Sequence, residues 1–106
     1  MIRKPDYSDA PAYCHYYFDL VKSDDLIGEL QYSQQKTLQL IRSIPESKSD
    51  YRYAIDKWSV KDVLRHIIDC ERVYTYRAFR FSRFDDTELS GFDENNYIIF
   101  TEDIDV

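Results

Sequence analysis

Glycine is nearly absent from this sequence of 106 residues: Gly28 and Gly91 are the only two. Proline is little commoner, at Pro5, Pro11 and Pro45. Folds built from many short strands draw on both residues at their turns, so this scarcity argues against a turn-rich β fold and for long helices. Cysteine is limited to Cys14 and Cys70. Two cysteines make no disulfide framework, and they lack the C-x-x-C spacing of a metal site, so a reducing cytoplasm is the expected compartment. No stretch approaches the roughly 20 apolar residues of a membrane span. Arg3 and Lys4 are not followed by an apolar run, and no signal peptide is expected. The patterns G-x-x-x-x-G-K-S/T, G-x-G-x-x-G and G-x-S-x-G do not occur, which excludes phosphate cradles and nucleophile elbows at the level of motif. Basic residues are outnumbered, 14 against 20, and the formal charge of −6 argues against a dedicated nucleic-acid binder.

What is present can build a core. Hydrophobic residues make up 43% and aromatics 16%, too much for a disordered chain. The length sets residues 1–106 as a single domain, or part of one. The strongest element runs from Lys57 to Arg83. Ser59 is a good N-cap and Asp62, three residues on, completes a capping box. Trp58 and Val63 form the pair of a hydrophobic staple. Turning about 100° per residue places Val60, Val63, Leu64, Ile67, Tyr74, Ala78 and Phe81 on one apolar stripe. Arg65, Arg72, Tyr76, Arg80 and Arg83 gather on the far side as a solvated face. Glu71 falls near the middle of the stripe, where a charge is costly unless paired or coordinated.

The earlier chain reads as an extended arm over residues 1 to 10, then a short helix opened by Pro11. Tyr13, Tyr17, Leu20 and Val21 share a face there, and His15 reads as a packing or surface imidazole. Ser23, Asp24 and Asp25 announce a second long helix, from about Asp24 to Ile44, ended by Pro45. Its apolar face holds Leu26, Leu30, Leu40, Ile41 and Ile44, and Gly28 suggests a close helix crossing. Residues 45 to 57 read as a loop lying extended over the bundle, with Tyr51, Tyr53 and Ile55 tucked in. From Phe84 to Val106 there are eight acids and no Lys or Arg, although Tyr97, Ile98, Ile99 and Phe100 demand an apolar partner. Two long helices and one short one cannot cover each other's apolar faces, and a four-helix bundle needs two further long elements.

His66 is the sharpest candidate for chemistry. Asp62, Asp69 and Cys70 stand at i−4, i+3 and i+4, one helical turn away. An imidazole beside a carboxylate or thiolate suits zinc or nickel, and a plain structural histidine is the competing reading. Glu71 is either an ion-pair partner across a helix interface or a group that steadies a ligand or moves a proton. Cys70 reads as a small core residue unless a cation makes it a thiolate.

Taken together, Tyr53, the Lys57-Trp58-Ser59 run, the His66, Asp69, Glu71 and Arg72 core, Arg77 and Arg80 resemble the DinB-like superfamily. The Leu89, Gly91, Phe92, Asp93 and Tyr97 segment continues the likeness. The resemblance implies an all-α, antiparallel helical bundle in up-down-down-up arrangement. It is expected to be often dimeric and to hold a divalent metal, nickel or zinc, by three histidines. Relatives with known activity are thiol-dependent transferases and isomerases, so a metal-dependent transferase or hydrolase-type enzyme acting with a low-molecular-weight thiol is the expected class. The family's first metal histidine falls on His66, with Glu71 and Asp69 as candidates to support it. The other two lie in a later H-x-x-x-H helix that this sequence does not contain, and His15 matches no ligand position. The sequence therefore looks like the N-terminal portion of such a domain with an acidic extension. The alternative is a non-catalytic helical module that dimerises or binds a partner; a membrane is not expected, and nucleic acid is disfavoured.

Overall fold

The computed structural model describes residues 2–101. Glu102, Asp103 and Asp105 of the acidic extension lie outside the described residues. Among the described residues the chain is all α, with four helices: α1 His15–Leu20, α2 Leu26–Ser43, α3 Val60–Ser82 and α4 Glu94–Ile99. Short 3-10 turns occupy Tyr7–Asp9, Ala12–Cys14 and Glu46–Lys48. The chain divides into two compact units, Met1–Pro45 and Glu46–Val106.

In the first unit the N-terminal arm ties itself to the joint between α1 and α2. The Leu26 amide donates to the Ile2 carbonyl at 3.1 Å, and Lys4 Nζ donates to the Val21 carbonyl at 3.2 Å. Pro11 leads into the 3-10 turn that feeds α1. The expected face of Tyr13, Tyr17 and Leu20 is exposed. The packed aromatic group is instead Tyr7, His15 and Phe18, with the Tyr7 and His15 rings edge-on at 4.8 Å. Asp25, not Ser23, caps α2, accepting from the Gly28 amide at 3.2 Å, while Ser23 Oγ accepts from the Asp25 amide. A Cβ at Gly28 would stand 2.6 Å from Asp25 Oδ2, the movable end of the capping side chain. The close approach is to the helix's own cap and not to a crossing helix.

In the second unit the loop before α3 closes over the helix start. The Val60 and Lys61 amides donate to the Tyr51 and Ser49 carbonyls at 3.1 and 3.0 Å, and the Asp62 amide donates to Ser59 Oγ at 3.2 Å. The donors that every helix leaves orphaned in its first turn are thus satisfied by protein. The loop is not extended throughout, and its side chains are not tucked in: Tyr51, Tyr53 and Ile55 are all exposed.

At its far end α3 stops in a Schellman turn. The Asp85 amide donates to the Arg80 carbonyl at 3.2 Å and the Phe84 amide to the Phe81 carbonyl at 3.0 Å. Phe84 sits at φ 53° in the position that glycine usually fills. The chain then returns along α3. Leu89, Gly91 and Phe92 line a groove with Arg72, Val73, Tyr76, Arg77 and Arg80, and Ile98 and Ile99 reach Trp58 and Asp62. Asp93 caps α4, accepting from the Asn95 and Asn96 amides. The acidic extension is therefore no simple tail: it folds back and supplies α4.

The arginine side of α3 is only in part the solvated face expected: Arg72, Tyr76 and Arg83 are exposed, whereas the Arg65 and Arg80 side chains are only 13% and 15% exposed, Arg65 against Asp62 and Arg80 against the returning chain. The apolar stripe is open as well, with Val63, Ile67, Tyr74 and Phe81 exposed. Ile98, at 3% exposure, is the one fully buried hydrophobic residue among those described.

Phe84 is 97% exposed, so its aromatic ring contributes no packing while its left-handed backbone costs about 1 kcal/mol. Phe84→Gly is expected to stabilise the protein by up to about 1 kcal/mol in urea unfolding, although glycine substitutions usually destabilise. A loss of stability would mean that the turn is not strained at Phe84.

Candidate functional site

The site is set by how α3 begins. Asp62 is a carboxylate only 1% exposed, an expensive placement unless every oxygen is satisfied. Its Oδ2 accepts from the Ser59 amide at 3.0 Å and lies 3.3 Å from Arg52 Nη1. Its Oδ1 lies 3.4 Å from Arg65 Nη1. Burial works against ionisation, but the Ser59 amide and hydroxyl and the two guanidinium charges outweigh it. Together they hold the carboxyl below its ordinary value. Asp62 is thus fully engaged in structure, as the capping-box reading required. Arg52 was missed from sequence, because nothing in a polar loop announces which of its cations reaches a buried acid.

One turn further on, His66 is half-buried. The Trp58 ring leans on it with centroids 5.0 Å apart. Cys70 Sγ stands 3.5 Å from His66 Nε2 and 3.9 Å from Nδ1. Burial pushes the Cys70 thiol above its usual range, and the negative charges of Asp69, Glu94 and Glu71 add to the effect. Asp69 is largely covered and lies 4.0 Å from Arg72 Nη1. Glu71 is exposed and, among the described residues, has no ion-pair partner. Its place in the stripe costs little because the stripe is open there. Glu94 was not foreseen as a neighbour of Cys70; only the return of the chain through α4 brings it there.

The two histidines are in different states. His15 Nε2 donates to the Tyr7 carbonyl at 2.7 Å, and its ring packs between Tyr7 and Phe18, so it serves structure. The ring nitrogens of His66 meet no carbonyl or carboxylate among the described residues, and face Cys70 alone. Beside Trp58 an open cleft of about 590 Å³ is lined by Tyr51, Tyr53, Trp58, Val63, Glu94 and Asn95, among others. On the opposite flank Arg80 pairs with Asp85, and its Nη2 donates to the Thr87 carbonyl at 3.2 Å. That pair, with the Thr87 contacts, lowers the Asp85 carboxyl to about 2.

An all-α chain with a capped long helix carrying one disengaged histidine is the class that these observations define. The chain belongs to the DinB superfamily, whose sequence model matches residues 29–102. Neither a curated protein nor a solved structure matches it. The three-histidine metal centre implied by the resemblance does not fit the residues present: among those described, no three of His, Cys, Asp and Glu converge to hold an ion.

Asp62 makes the stability of this unit sensitive to acid. Its folded-state value lies below the ordinary carboxyl value near 3.8. Its contribution is therefore complete above about pH 5 and is lost as pH falls through the ordinary value and then the lowered folded value. Asp62→Asn should cost about 1–3 kcal/mol at pH 7 and flatten the fall in stability between pH 5 and pH 3. Urea unfolding across that range decides it; equal acid slopes in both proteins would remove Asp62 from the account.

Proposed function

We propose that this chain is the His66-bearing part of a DinB-type divalent-metal site, with a metal-dependent reaction of the transferase or hydrolase type as its class. The observation that carries the reading is the contrast between its two histidines. His15 is consumed by a carbonyl, whereas His66 packs against Trp58 and its ring nitrogens meet only Cys70 Sγ among the described residues. A bound nickel or zinc ion would act as a Lewis acid toward a thiol or carbonyl substrate. His66 would hold it, and Trp58 would fix the ring. The residues described do not complete such a centre, so no catalytic step is derived through it.

The 106 residues hold no further histidine, so any remaining ligands would be other side chains or groups from outside them. Metal content separates this reading from a structural one. Wild-type protein equilibrated with Zn²⁺ or Ni²⁺ and then dialysed should retain metal by elemental analysis. His66→Ala should lose it, and His15→Ala should keep it. Equal retention in His66→Ala would overturn the assignment.

The open apolar stripe favours a second reading, that the chain associates through α3. Val63, Ile67, Tyr74 and Phe81 are exposed, and a homodimer covering them is the assembly this implies. Light scattering should then give twice the monomer mass, falling to the monomer in Ile67→Glu. A wild-type monomer at high micromolar concentration would end this reading.

A further inference from the structure

The open cleft beside Trp58 brings together two kinds of group that the metal reading does not use. Three of its lining residues are aromatic, Tyr51, Tyr53 and Trp58, and two are carboxylates, Asp56 and Glu94. Both tyrosines are exposed, and the Tyr53 ring meets no other ring or cation among the described residues. Neither carboxylate has an ion-pair partner there. Lys57 lines the same cleft and is also unpaired, which leaves two negative charges against one positive. The face of an aromatic ring is electron-rich and attracts a cation within about 6 Å of its centroid. The chain itself shows the effect at this cleft, where Lys48 Nζ lies 5.6 Å from the Tyr51 ring centroid.

We infer that this cleft binds a small organic cation, a quaternary or alkylated ammonium, with Tyr53 and Trp58 meeting its alkyl groups and Asp56 and Glu94 balancing its charge. The volume of about 590 Å³ suits a small molecule. Val60 and Val63 extend the apolar wall that alkyl groups require. An anion would meet two carboxylates for one lysine, and a neutral apolar molecule would gain nothing from either carboxylate. The walls are also held in advance. The Val60 amide donates to the Tyr51 carbonyl at 3.1 Å, and Arg52, between the two tyrosines, reaches the buried Asp62 at 3.3 Å. Trp58 is braced by the His66 ring. A cleft that needs no ordering on binding spends less of its interaction energy on entropy. The competing account is a plain apolar depression, which a neutral molecule of the same shape fills equally well.

Trp58 is the single tryptophan of the chain and reports on the cleft. The full chain would be titrated with choline chloride at constant ionic strength and with a chelator present, so that no bound metal contributes. Its emission would be excited where tyrosine does not absorb. The parallel titration uses choline's uncharged isostere, in which carbon replaces nitrogen. Saturation transfer from the aromatic protons to the N-methyl protons reads the same contact without relying on fluorescence. The inference expects saturable binding of choline and at least fivefold weaker binding of the isostere. Tyr53→Leu should weaken choline binding about two- to fivefold, the range of a cation–ring contact at an exposed site. The Asp56→Asn, Glu94→Gln double variant should weaken it as well, and Lys57→Gln should tighten it. These positions are exposed, and circular dichroism checks each fold. Equal binding of choline and its isostere would reduce the cleft to an apolar depression. Absence of choline binding by folded wild type in both measurements would overturn the inference and leave the metal reading of His66 untouched.

Discussion

The second unit depends on one buried carboxylate. Asp62 joins three pieces of chain: the loop through Arg52, the helix start through Ser59, and the next turn through Arg65. Removing a charge from water is tolerable only where donors replace the lost hydration. Here an amide and two guanidinium groups do so. Because the same residue fixes the first turn of α3, it fixes the rotation of everything after it. His66 and Cys70 face where they do because the helix begins at Val60 and nowhere else.

The returning chain then divides α3 into two sides. Arginines that face a strongly acidic segment of the same molecule are better partners than water, since each pair gains hydrogen bonds to backbone as well as charge. Arg80 shows this, bonding to the Thr87 carbonyl and pairing with Asp85, while Arg77 donates to the Ser90 carbonyl at 3.3 Å. The segment after Arg83 thus meets part of the arginine face, at Arg77 and Arg80, while Arg72 and Arg83 stay exposed. Among its described residues the only fully buried hydrophobic one is Ile98, and Val63, Ile67, Tyr74 and Phe81 of the stripe are exposed.

Local signals in this sequence were legible because local chemistry decides them. The Ser59–Asp62 box, the extent of α3 and the all-α class follow from capping rules and periodicity, and each is present. The family resemblance was equally legible in the Lys57–Trp58–Ser59 and His66 to Arg72 runs. Features set by chain return were not. The burial of Arg80, the approach of Glu94 to Cys70 and the reach of Arg52 to Asp62 depend on the turn at Phe84 and on the loop's path, which no periodicity encodes. Gly28 shows the same limit at shorter range: a helical glycine invites a packing explanation, whereas its near neighbour is the N-cap carboxylate three residues back.

Spacing offered His66 three neighbours, at Asp62, Asp69 and Cys70, and the structure separates them by what each is already doing. Asp62 is consumed by Ser59, Arg52 and Arg65, and it cannot turn to the imidazole without leaving two cations and an amide unsatisfied. Asp69 lies near Arg72 on the flank away from the ring. Cys70, among the described residues, has its Sγ against the imidazole. The distinction matters chemically, because a carboxylate neighbour would orient the imidazole by accepting its N–H, whereas a sulfur neighbour is itself a donor of electrons. The neighbour of this imidazole is therefore sulfur, and packing against Trp58 rather than a carboxylate sets the ring's orientation.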